Sequence, residues 1–375
     1  MTRRVALAVA VCAAVWAPAC GGGSAAAGKP TKKLKTPKLP PVKPEALAQF
    51  DAGMRALRLK GPQAAETARP RLEKAVDLDP TLWEGWFNLG GLYYSQGEDD
   101  RAAEAFSKAL KINPAYIPSY LARAEAYRRA GEASKARADY KVVIRERPGD
   151  GAAYARQASL LREAGDFEDA LDVCRQALRT AGGSSKIYVE LGLVYLGQGR
   201  GELAELVLGK AAKLDEKDPA IYNALALVAL DRGEDQLAFQ RFDFATSLDP
   251  DFHDARFNTA AVLLDIGDYQ GAHRQLEIVL QANPDDLEAQ VSFGVALRGL
   301  KEYDRARGTW ERVVKSAPTR SRVRADALFN IAVLEMDFVM NEKKAKSALV
   351  RYLSNAPRRH RMRKQAKDRT VELGL

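Results

Sequence analysis

Three prolines, Pro80, Pro114 and Pro148, stand 34 residues apart, and so do Pro250, Pro284 and Pro318. Gly182 and Glu216 occupy the two slots between them. A period this long, kept from residue 80 to residue 318, constrains the fold more than any composition figure does. A chain that repeats one unit grows by stacking copies, so its 375 residues need not divide into ordinary globular domains.

Inside each 34-residue stretch the same residue types recur: a large one at position 4, a small one at 8, glycine at 15, alanine at 20, apolar residues at 24 and 27. The stretch beginning at Trp83 supplies Trp86, Leu89, Gly90, Tyr93, Gly97, Ala102, Phe106, Ala109 and Pro114. Each stretch holds two amphipathic runs of about a dozen residues with apolar spacing near i, i+3, i+4 and i+7, which predicts two helices. The glycine at 15 (Gly97, Gly131, Gly165, Gly199, Gly233, Gly267) ends the first helix, because it takes φ > 0 without steric cost. Asp166, Glu234 and Asp268 open second helices, where an acid favours the dipole. The closing proline cannot continue a helix. Small residues at 8 and 20 (Gly90 with Ala102, Ala158 with Ala170, Gly192 with Ala204) let paired helices approach closely. One such unit cannot bury its apolar face alone, so neighbours must stack.

This period and these residue types closely resemble the tetratricopeptide repeat, over about residues 49–357. The resemblance implies an all-α, right-handed superhelical solenoid of about nine antiparallel helix pairs. Units begin near 83, 117, 151, 185, 219, 253 and 287, and a degenerate one near 49 turns at Lys60-Gly61-Pro62. The last runs from about 321 to Pro357; Pro318 and Pro357 are 39 residues apart, which predicts a longer first helix or loop there. The array is expected over 45–357 and a basic capping helix over 358–375.

The N-terminus is a different kind of sequence. MTRR followed by the apolar run Val5–Trp16 and small residues fits a signal peptide over 1–19. The run is too short to span a bilayer, which takes about 18 apolar residues or more, and no later run reaches that length. APAC, Ala17 to Cys20, admits two readings. Ala17-Pro18-Ala19 is an A-x-A cleavage site, with Cys20 incidental; or the stretch resembles a bacterial lipobox, and Cys20 is acylated. Ala17 stands where the lipobox usually has leucine, but Cys20 falls where it needs cysteine. Residues 20–44 then read as an unfolded tether, Gly/Ala/Ser-rich first and Lys/Pro-rich and stiffer afterwards. Its lysines are either a solvated spacer or a contact with anionic lipid or wall polymer.

Charge and cysteine usage narrow the function. Residues 1–44 carry eight basic residues and no acid, and 358–375 are net +5, so the body is −4 in a chain of +9. An acidic body is the reverse of what a nucleic-acid-binding solenoid requires. Cys12 leaves with the signal peptide and Cys174 is alone in the body, so stability rests on packing rather than disulfides. Cys174 falls at apolar position 24 and reads as buried filler, with a reactive thiol as the alternative. His253, His273 and His360 are too scattered for a metal site. No catalytic motif or cofactor-binding loop is present, so no small-molecule substrate, cofactor or enzyme activity is expected.

In the family the first helices line a concave face, with positions 2, 5, 9 and 12 pointing into it. That implies a partner-binding groove of Phe87, Tyr94, Leu121, Val189, Leu193, Leu196, Leu227, Leu230, Phe257, Leu264, Val291, Val295 and Phe329, mostly apolar from about 185 to 330. About half of these are expected to be buried by the next unit. The rest would hold an amphipathic helix or extended apolar segment of a protein partner, with Asn223, Asn258 and Asn330 bonding its backbone. The carboxylate clamp of chaperone-binding members is absent: the Lys and Arg positions around Asn88, Asn258 and Asn330 are not basic. RRHRMRKQAKDR, Arg358 to Arg369, is either a solvated cap or a lipid-surface contact.

With signal peptide, lipobox, basic tether and long array, the chain resembles repeat lipoproteins of bacterial envelope machines. These include the tetratricopeptide repeat lipoprotein of the adventurous gliding-motility apparatus and the pilotins that assist secretin assembly in type IV pili. The resemblance implies a non-enzymatic scaffold on the outer membrane facing the periplasm; Gly21 after the cysteine, in place of aspartate, is compatible with outer-membrane sorting. A cell-wall enzyme is the contrasting class, and no catalytic constellation supports it.

Overall fold

At position 15 of six units, Gly97, Gly131, Gly165, Gly199, Gly233 and Gly267 adopt φ between 70° and 82°. This is the left-handed backbone that stops each first helix and turns the chain into the second. The structure, a computed structural model, describes residues 34–35, 37–59, 62–358 and 360–374. The signal peptide, Cys20, the tether up to residue 33 and the Lys60-Gly61 turn lie outside the described residues.

The chain divides into two compact units at Asp215–Glu216. The first holds five helix pairs: α1 (Pro44–Arg58) with α2 (Pro62–Leu78), α3 (Trp83–Ser95) with α4 (Asp99–Ile112), α5 (Ile117–Arg129) with α6 (Ala133–Glu146), α7 (Gly151–Glu163) with α8 (Phe167–Thr180), and α9 (Ser185–Gly197) with α10 (Gly201–Leu214). The second holds four: α11 (Pro219–Asp231) with α12 (Asp235–Leu248), α13 (His253–Asp265) with α14 (Tyr269–Ala282), α15 (Leu287–Gly299) with α16 (Tyr303–Ser316), and α17 (Arg322–Val333) with α18 (Glu342–Asn355). Helix α19 (Arg363–Glu372) follows, and there is no strand among the described residues. Nine helix pairs, all α among the described residues, match the expected architecture.

Several first helices begin at a side-chain cap. Asp150, Ser184, Asp218, Asp286 and Ser321 each accept a hydrogen bond from a backbone N–H two or three residues on, at 2.9–3.4 Å. Each bond satisfies a donor that the helix itself leaves open. Among the acids expected to open second helices, Asp268 caps Gly271 N–H at 2.8 Å, whereas Asp166 and Glu234 make no such bond.

Within a pair, the small residue at position 8 receives the large side chain at position 24 rather than merely facing position 20. A Cβ on Gly90 would lie 2.7 Å from the Phe106 ring, one on Gly192 2.6 Å from Leu208, and one on Gly294 2.3 Å from Trp310 Nε1. Ala124 with Tyr140, Ala226 with Phe242 and Ala260 with Leu276 share cores in the same way. At Ala158 the position-24 partner is Cys174, 1% exposed, whose thiol burial pushes up to about 12. It is packing filler, as its position suggested.

The last pair departs from the repeat. Its first helix runs on into a π-helical turn, Leu334–Phe338, which takes up part of the extra length expected there. Glu335 in that turn is 1% exposed and pairs with Arg307 of α16. Where glycine is missing, Lys301 (φ 66°) and Met340 (φ 59°) take the left-handed turn instead, and Arg320 (φ 61°) does so before α17. Helix α19 packs on α18 through buried Ala366. Its approach is held by Tyr352 Oη to His360 Nδ1 at 2.7 Å, and its end by Arg369 to Asp337 at 2.7 Å.

The position-8 contact yields a paired prediction. Trp310 is rigid, fully buried and donates to Val291 C=O at 2.9 Å, so it cannot retreat from a new methyl group. Gly294→Ala should destabilise the protein by about 1–2 kcal/mol, the overpacking cost exceeding the gain in helix propensity. Gly91→Ala, where a Cβ meets nothing within 4 Å, should stabilise by up to about 1 kcal/mol. Denaturant midpoints of the two variants check both signs.

Candidate functional site

The first helices stand side by side in each unit: α3 touches α5 and α7 touches α9 in the first, and α13 touches α15 and α15 touches α17 in the second. The register therefore brings positions 2, 5, 9 and 12 of neighbouring first helices onto one face of each unit.

In the first unit this face is apolar at its ends and charged in the middle. Phe87 is buried, 5.1 Å edge-on from Tyr116 and 5.6 Å from Phe106. Tyr94 is half-buried, with the Arg129 guanidinium 4.1 Å from its ring centre. Leu121 is half-buried between two cores. Val189 is buried, and Leu193 and Leu196 are half-buried.

Between them lies a network that the list of apolar candidates passed over. Glu125, at position 9 of α5, is buried and accepts from Tyr140 Oη at 2.7 Å and Arg128 Nε at 3.2 Å, with Arg156 Nε also at 3.2 Å. Burial, with Glu125 adding to it, pushes the Tyr140 hydroxyl above its ordinary pKa and keeps it a donor. Arg162, at position 12 of α7, bonds Ser159 Oγ at 3.1 Å and Glu190 at 3.3 Å. Glu125, Arg128, Ser159 and Arg162 all occupy positions 9 and 12, so the repeat register alone could have found them.

In the second unit the face is more apolar. Leu227 and Leu230 are half-buried on the core around Phe242, Phe257 and Leu264 on that around Leu276, and Val291 and Val295 on that around Trp310. Phe329 is buried, 5.5 Å from the Tyr352 ring. Phe87, Val189 and Phe329 thus belong to the core, and the other apolar candidates keep part of their surface. The half-buried asparagines are already bonded within the chain: Asn258 Nδ2 donates to Asn223 Oδ1 at 2.9 Å, and Asn330 Nδ2 donates to Asp326 C=O at 3.0 Å. Arg298, at position 12 of α15, places its guanidinium 5.2 Å from the Phe338 ring, and burial lowers its pKa.

Among the described residues no group of three His, Cys, Asp or Glu side chains is placed to hold a metal ion. No described helix is long and apolar enough to cross a membrane. The geometry offers partly covered apolar side chains between helix ridges, with paired charges beside them. Such a surface suits docking of another chain.

Profiles of the tetratricopeptide repeat match residues 83–116, 121–185, 161–228 and 257–321. The chain belongs to the tetratricopeptide repeat family. Members of this family generally mediate protein–protein interactions on a fold that is typically a non-enzymatic scaffold. A tetratricopeptide repeat protein from Parabacteroides merdae is similar at a TM-score of 0.59 and 15% identity, over 68% of this chain and 99% of that one. The human IFIT1 dimer with PPP-AAAA is similar at 0.60 and 16% identity, over 89% and 86%. At these identities the likeness is one of fold. No curated protein is similar enough in sequence to count as a match.

The charged belt generates a pH prediction. Burial raises the Glu190 carboxyl above the ordinary carboxylate range, and the Arg162 bond only partly offsets it. The folded state therefore holds this proton more tightly than the unfolded state. Its contribution is fully present below the unfolded carboxylate pKa of about 4.3 and is lost as pH rises through the folded value. Glu190→Gln should raise the melting temperature at pH 7, and the difference from the native protein should close by about pH 4. Melting curves across that range check it.

Proposed function

We propose that this protein is a lipid-anchored, non-enzymatic scaffold of the bacterial cell envelope that holds apolar segments of partner proteins on the faces of its first helices. The observation that carries the docking part is the second unit's face. There Leu227, Leu230, Phe257, Leu264, Val291 and Val295 stay half-exposed on neighbouring first helices although each is seated on a core. An amphipathic helix or extended apolar segment would complete their burial. The Asn223–Asn258 bond leaves the Asn223 amide NH2, the second Asn258 N–H and the Asn258 Oδ1 outside it, to offer such a segment.

The envelope part rests on the sequence: a signal-peptide pattern, Cys20 in a lipobox-like context and a basic, proline-rich stretch before the array. Acylated Cys20 would place the array on the outer membrane facing the periplasm and turn partner capture into a problem of effective concentration. The same architecture supports a place in a surface machine such as the gliding-motility apparatus, with pilotin-like assembly of a secretin as the alternative.

Two measurements separate the parts. Cys20→Ser should release the protein from membranes into the soluble fraction with its helical content unchanged; retention on the membrane would refute the anchor. Leu227→Glu with Phe257→Glu, in a variant whose circular dichroism matches the native protein, should weaken recovery of cross-linked envelope partners about tenfold or more. Undiminished recovery would refute the docking face.

A further inference from the structure

Residues 34–43 are not a free spacer where the structure describes them. Leu34, Pro37, Leu39 and Val42 are half-buried, while Lys35, Lys38, Pro40, Pro41 and Lys43 are exposed. Leu34 packs against the core that includes Ile117, Val143, Ile144 and Tyr154, and Val42 against the core of Phe50, Leu72 and Val76.

The backbone is tied at both ends of the stretch. Leu34 N–H donates to Glu146 Oε2 at 3.4 Å, at the end of α6. The Glu146 side chain is only 8% exposed, and its other oxygen is held by Arg145 at 2.9 Å. Lys43 N–H donates to Asp79 Oδ2 at 3.0 Å, and Lys43 Nζ to Leu78 C=O at 2.9 Å, at the end of α2. Asp79 is 5% exposed, and its second oxygen accepts from Thr81. Two carboxylates largely removed from water thus each complete their bonding with an N–H of this segment, which is what a built seat requires. Nine steps of about 3.1 Å cover roughly 28 Å, which lets an extended, proline-rich segment run from the α2–α3 junction to the α6–α7 junction.

We propose that this edge of the first three helix pairs is a binding site for an extended, proline-rich segment, and that its resident occupant is this chain's own residues 34–43. The strap moves the point at which the tether leaves the body from Pro44 to Leu34. For an anchor at Cys20, the intervening 13 residues reach roughly 40 Å at the polyproline rise, against roughly 71 Å for the 23 residues between Cys20 and α1. That consequence rests on the lipid-anchor reading; the seat itself does not.

The test is brief trypsin digestion of the full-length protein in mild detergent, following the Lys38–Leu39 bond by mass spectrometry. A protease must lift the strap off its seat before cutting, so this bond should be cut about tenfold more slowly than in a synthetic peptide of residues 29–48. Leu34→Asp with Val42→Asp should bring it to the peptide's rate without changing the melting temperature of the array. Equal rates in native protein and peptide would overturn the proposal, as would slow cutting that survives the double substitution. Cys20→Ser should leave the protection unchanged, so failure of the anchor and failure of the seat are read separately.

Discussion

In six of the nine helix pairs one contact organises the core: a glycine or alanine at position 8 of a first helix opposite a large side chain at position 24 of its partner. Gly90 takes Phe106, Gly192 takes Leu208, and Gly294 takes Trp310. Absence of a side chain on one helix makes room for a whole ring or isobutyl group from the other, and the two backbones can close around it. With the core of such a pair filled this way, the outer residues of the pair are left to meet the next one. Pairing comes before stacking, and stacking produces the faces on which function is proposed.

Those faces differ between units because the same positions carry different chemistry. In the first unit, positions 9 and 12 of α5 and α7 hold Glu125, Arg128, Ser159 and Arg162, tied to Tyr140, Arg156 and Glu190. Groups bonded this thoroughly are poor ligands for an outside chain, since docking would have to replace bonds already made. In the second unit the equivalent positions are largely aliphatic or aromatic. The first unit is suited to rigidity in its middle, and the second to contact.

The period was legible because helix ends carry conformational signatures. Glycine at 15 and proline at 32 act through backbone geometry, which neighbouring side chains do not override. Which groove residues stay exposed was less legible. Phe87, Val189 and Phe329 occupy groove positions and yet are buried; the Tyr116 ring packs against the first and the Tyr352 ring against the last. Register states direction; cover depends on the size and rotamer of residues in the partner helix and in the next repeat. The pairing of Asn223 and Asn258 was hidden for the same reason. The strap was beyond periodicity altogether. Leu34 meets Glu146 across 112 positions of chain, and a segment without a repeat gives no phase from which to infer its partner.

The left-handed residues carry a last implication. In six turns glycine accepts this backbone freely, whereas Lys301, Arg320 and Met340 accept it at about 1 kcal/mol or more each. All three fall among the final two pairs. In an array whose members answer only to their neighbours, such a cost is not shared out but stays where it arises. The left-handed cost of the second unit is thus gathered in its last two pairs, where α19 is held by a buried imidazole–phenol bond and one arginine–aspartate pair.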